Sequence, residues 1–149
     1  MNTDGSNQTK LTSGADEVFR LAWSPDGTKI AFEENGEIRV MNADGTNQTK
    51  LTSNGCYPAW SPNGTKIAFC SVSEDNCDIW VMNAEGTNKM NLTNGSGWHE
   101  SPVWSPEGSR IAFVTSEGNI VPGSGSHIWV MNADGTNQTK LLDSGIYLA

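Results

Sequence analysis

The 149-residue sequence predicts an all-β chain of repeated four-stranded antiparallel units, and three observations carry that expectation. The phrase "MNADGTNQTKLT" and its variants begin at Met1, Met41, Met82 and Met131, at spacings of 40, 41 and 49 residues. A second phrase, "AWSPDGTKIAF" from Ala22, returns as "AWSPNGTKIAF" from Ala59 and "VWSPEGSRIAF" from Val103. Third, only 36% of residues are apolar, while 16 glycines and 6 tryptophans mark many short apolar runs separated by polar turns. Repeats of about 40 residues, each holding several short strands, are the signature of propeller blades.

Each unit reads as four strands. The first ends in the Trp of "AWSP". The second is "TKIAF", where Ile30 and Phe32 alternate with Ala31. The third is "IRVMN" or "IWVMN", and the fourth is the "QTKLT" segment. "SPDG", "SPNG" and "SPEG" join the first two strands, with Pro fixing φ and Gly supplying positive φ for a tight turn. "NADGT" or "NAEGT" joins the last two in the same way. The expected layout is a fourth strand and linker at 1–17, blades at 18–53, 54–93 and 94–143, and the start of another at 144–149. That is a half propeller of three full blades plus partial strands.

The strand spacings and these motifs together, "WSPDGTKIAF" followed by "IWVMNADGTNQTKLT", resemble the repeat of TolB-like β-propellers. That repeat is related to the WD-type families and to the propellers of prolyl oligopeptidase-like peptidases. The likeness covers almost the whole chain. It implies blades around a central channel, a six-bladed count, a protein-interaction module and a periplasmic or extracellular location. It implies no single activity, because propellers host many.

Two spacings are constant and two are not. Strand-one Trp to strand-two Phe is always 9 residues, and strand-three Val to strand-four Leu is always 11. The second-to-third connection grows from 8 (Phe32 to Val40) to 12 (Phe69 to Val81) to 17 (Phe113 to Val130). In an up-and-down blade alternate connections fall on opposite faces, so the variable ones share a face. Loops on a rigid scaffold carry binding. The expected rim of that face is Trp98, His99, Glu100, His127, Glu74, Asp75 and Tyr57. His99 and Glu100 adjoin in a strand and point to opposite sides, which argues against acid–base chemistry between them.

Several chemistries are set aside. A formal charge of −8 disfavours nucleic acid, which needs clustered Lys and Arg. No apolar window of about 18 residues exists to span a membrane. "MNTDGSNQTK" lacks the pattern of a signal peptide. Glu33 and Glu34 are read as solvated residues of a hairpin tip, and "NADGTN" as a turn without the distal Glu of a calcium loop. Cys56, Cys70 and Cys77 match no zinc spacing, so neither metal nor cofactor is expected. Cys70 and Cys77 flank a short loop and either bridge or remain free thiols. Trp23, Trp60 and Trp104 are expected to pack between blades.

The functional expectation is a non-catalytic module that binds a protein or peptide ligand, closing its ring by homodimerisation. The alternatives are a fragment of a peptidase's substrate-gating propeller and a purely structural half-propeller. Three blades leave an apolar blade face open at each end, which drives association.

Overall fold

A computed structural model describes residues 4–12, 18–74, 76–95, 97–116 and 126–142. The described residues form twelve strands: β1 Val18–Trp23, β2 Lys29–Glu34, β3 Glu37–Asn42, β4 Thr49–Thr52, β5 Cys56–Trp60, β6 Lys66–Val72, β7 Cys77–Asn83, β8 Met90–Asn91, β9 Trp98–Trp104, β10 Arg110–Ser116, β11 Ser126–Asn132 and β12 Thr139–Leu142. Strands β1–β4, β5–β8 and β9–β12 are three antiparallel blades. A single parallel bridge, Cys77 to Trp98, ties the second blade to the third.

The constant turns are built by short polar side chains. Ser24 Oγ accepts from the Lys29 N–H, and the Ser24 hydroxyl donates to Asp26, whose carboxylate also accepts from the Thr28 N–H. Ser61 with Asn63 repeats this in the second blade. In each blade the two constant turns bond each other: Ala43 N–H donates to Thr28 C=O, Ala84 to Thr65 and Ala133 to Ser109, each at 2.9 Å. They therefore share one face, and the described variable connections, at Asn35–Gly36, Ser53–Gly55 and Ser73–Glu74, lie on the other.

Period-two alternation sorts the core into layers. On β6, Ile67 and Phe69 pack with Ala31, Ile38 and Val40 of the first blade, while Ala68 and Cys70 pack with Ile111 and Phe113 of the third. The recurring tryptophans lock the layers. Trp60 Nε1 donates to Ala22 C=O at 3.2 Å, and Trp104 Nε1 to Ala59 C=O at 3.1 Å. Trp60 is 9% exposed, but Trp23, against which no blade of the described residues packs, is 54% exposed.

Residues 4–12 form no strand. They nevertheless sit where a preceding blade's fourth strand would. Leu11 C=O accepts from Gln48 Nε2 at 3.2 Å, just as Leu92 C=O accepts from Gln138 Nε2 at 3.0 Å.

Candidate functional site

Each blade's first strand carries one irregularity at the same place, three residues before its Trp. Arg20, Tyr57 and Ser101 have φ of 42°, 52° and 56°, at breaks in the ladder registers of β1–β2, β5–β6 and β9–β10. Such φ values are uncommon for side chains of this size, and they re-aim a strand residue. Here they bring Arg20 onto Tyr57. The guanidinium carbon lies 3.7 Å from the ring centroid, and Nη2 donates to the phenol oxygen at 2.7 Å. Arg20 Nη1 also pairs with Glu33 Oε2 at 3.2 Å.

This cluster walls a pocket of about 670 Å³. The variable connections supply its rim: Asn35 and Gly36 from β2–β3, Ser53 to Gly55 from β4–β5, and Ser73 and Glu74 from β6–β7. Tyr57, Trp98 and Glu100 line it from the first strands of the second and third blades. Trp98 Nε1 donates to Glu100 Oε2 at 3.3 Å. No described cation lies within ion-pair distance of Glu74 or Glu100, so the pocket combines two aromatic rings with available negative charge.

Four of the seven expected rim residues thus converge: Tyr57, Glu74, Trp98 and Glu100. The histidines do not join them. His99 turns to the other side of its strand, its ring edge-on to Phe113 at 5.7 Å and Nδ1 3.0 Å from Thr115 Oγ1. Burial holds its pKa below the ordinary value, with the Asp78 charge opposing. Thr115 is the register partner of both His99 and His127, so all three share one side of the third blade. Asp75 lies outside the described residues.

Sequence reasoning missed Arg20 and Glu33. The expectation of a solvated Glu33 at a hairpin tip is overturned: Glu33 belongs to β2 and is only 8% exposed. Glu34, next in the strand, pairs with Arg39 Nε at 3.1 Å instead. A usable signal existed, because Glu33 occupies the repeat slot of Cys70 and Val114, where the other blades place apolar side chains. The "NADGT" carboxylates serve the turn: the Thr46 hydroxyl and N–H both donate to Asp44, which lowers its pKa.

Of the two alternatives for Cys70 and Cys77, a bridge between them or free thiols, neither holds for Cys70, whose partner is Cys56. Cys56 and Cys70 face each other across β5 and β6 with Cα atoms 5.2 Å apart, and they form the disulfide. Cys77 is a buried free thiol, and burial pushes its pKa up to about 12. The three sulfur atoms nonetheless lie within 4.8 Å of one another, a convergence that the linear spacing hid.

Comparison with solved structures finds the same blade stack elsewhere. A putative TolB from Agrobacterium tumefaciens superposes with a TM-score of 0.80 at 24% identity, over 89% of this chain and 51% of that one. TolB from Acinetobacter baumannii gives 0.78 at 24%, over 96% of this chain and 36% of that one. The propeller domain of the trilobed protease from Pyrococcus furiosus gives 0.62 at 16%, over 85% and 43%. The chain therefore spans about half or less of each of these relatives, and the likeness speaks for the fold. Comparison with curated proteins finds no match. A family model described as the TolB beta propeller domain matches residues 1–148, and the chain belongs to that family.

Proposed function

We propose that this chain is a non-catalytic binding module whose variable face takes a basic peptide or protein segment. The pocket described above is the observation that carries this reading. Trp98 offers its ring face to a cationic side chain, since Arg20 already stacks on Tyr57, and Glu74 and Glu100 offer it charge. The remaining wall carboxylate is already occupied, since Glu33 is held by Arg20. A binding role also fits the placement of every rim loop on the face where connection length varies. Two copies joined through their end blades would complete the ring around the pocket. A periplasmic or extracellular location accords with the family and with the Cys56–Cys70 disulfide, which suits an oxidising compartment.

The test is a fluorescence titration with a lysine-centred tripeptide, reading the emission of Trp98 and its neighbours. Saturable quenching is expected, weakened at least about tenfold (1.4 kcal/mol) by Glu100→Gln. Equal affinity for the same tripeptide acetylated on its lysine, or for the variant, would refute the reading.

A further inference from the structure

The three blades are near-copies, so each serves as a control for the others. At one register pair of the first and second strands the first blade has Phe19 and Glu33, the third has Glu100 and Val114, and the second has Cys56 and Cys70. At the start of the third strand the corresponding residues are Gly36, Ser126 and Cys77. The fold therefore requires cysteine in none of these slots. In the second blade all three slots become cysteine, and they hold every cysteine of the chain. A disulfide accounts for two of them. It does not account for a third sulfur within 4.8 Å of both.

We infer that in the reduced chain Cys56, Cys70 and Cys77 form a three-sulfur site for a trivalent thiophilic ion of the arsenite class. Soft sulfur donors select soft ions. The surroundings then choose among them by charge. The cluster packs against Ile79, Phe113 and Trp98, with the buried Asp78 carboxylate following Cys77 in the chain and Glu100 lining the same pocket. Three thiolates on monovalent copper leave a doubly negative complex. On zinc they leave a singly negative one, and structural zinc also wants a fourth ligand. On a trivalent ion the complex is neutral, the only case without a charge-burial penalty. Cys56 and Cys77 both line the pocket, which provides the entry path.

Formation takes two balanced steps. A thiol or phosphine reductant supplies two electrons, cleaves the Cys56–Cys70 bond and leaves two thiols. Arsenous acid then exchanges its three hydroxyls for three thiols, so that three As–S bonds form and three waters leave.

The experiment reduces the full chain with a water-soluble phosphine, removes it, and adds arsenite alone. Native mass spectrometry is expected to show one arsenic in place of three hydrogens, with a thiol count falling from three to none. Cys77→Ser, which keeps the Cys56–Cys70 pair, is expected to show no adduct at an arsenite concentration that saturates the parent. Near-ultraviolet dichroism is expected to report an intact tryptophan environment in both. Uptake that survives Cys77→Ser would overturn the site. So would uptake by the unreduced chain, no uptake by the reduced one, or loss of the dichroism on reduction.

Discussion

His99 shows how one residue reads differently in a strand and between blades. Its neighbours Trp98 and Glu100 line the pocket, and strict alternation sends the imidazole the other way, against Phe113 and Thr115. Burial lowers its pKa from the ordinary 6.5. The neutral ring is thus favoured in the fold, and its contribution to stability is present above about pH 6.5. That contribution is lost as pH falls toward the depressed folded value, because the unfolded chain takes up the proton first. His99→Gln, which keeps a polar partner for Thr115, is therefore predicted to flatten the fall in urea midpoint between pH 6.5 and 5. Parallel midpoint curves for parent and variant would show that His99 does not titrate against folding. The alternation was legible in the sequence, so the separation of His99 from Glu100 could be read there. What could not be read was the left-handed turn at Arg20, Tyr57 and Ser101, since no local residue preference marks it. That turn brings Arg20 to Tyr57 across blades, and with it the Glu33 pair.

The elements were readable for a simpler reason: strand patterns and turn residues act locally, and the chain repeats them. The opening phrase, with "TDGS" in place of "ADGT", forms the same turn although residues 4–12 form no strand. Gly5 in the opening phrase adopts φ 82°, close to 86° at Gly45 and 87° at Gly135, and Gln8 Nε2 donates to Gly5 C=O as Gln138 does to Gly135. The fourth strands show where the local pattern ends. Only Met90 and Asn91 pair as β8, because the Thr93 hydroxyl takes the Ile79 N–H in place of a backbone carbonyl. What the repeat did not disclose is why its turn glycine matters twice over. A methyl on Gly135 would lie 2.9 Å from Leu92 O, whereas one on Gly5 would meet nothing within 4 Å. Both substitutions incur the left-handed cost of about 1–2 kcal/mol, but only Gly135→Ala also pushes on a neighbouring blade. Gly135→Ala is thus predicted to lower the melting temperature several degrees more than Gly5→Ala. Equal shifts would mean that the turn alone sets the glycine and that blades are not keyed together there.

At the scale of the molecule, the same keys repeated across two junctions define what a third would look like. Trp60 bonds Ala22 C=O and Trp104 bonds Ala59 C=O, so an exposed Trp23 matches the carbonyl of Val103, the equivalent residue on the last blade. Gly64 packs on Pro25 and Gly108 on Pro62, while Gly27 faces open space that Pro106 of a second copy would fill. Leu21 and Trp23 at one end, and Val103, Ile128 and Leu141 at the other, are exposed apolar surface of the kind that drives association. One key is already taken. Leu11 lies against Gly45, the place a second copy's Leu141 would need, as Leu51 lies against Gly86 and Leu92 against Gly135. Ring closure by two chains therefore requires residues 4–12 to leave that place, and their contacts compete with the partner's fourth strand. Self-association is predicted to be concentration-dependent in the parent and stronger once residues 1–12 are removed. Sedimentation equilibrium reads both, with the shortened chain moving toward twice its own mass at concentrations where the 16.0 kDa parent is still mixed. A shortened chain that stays folded and monomeric at micromolar concentration, with Trp23 still as accessible to a fluorescence quencher, would rule out closure by a second copy.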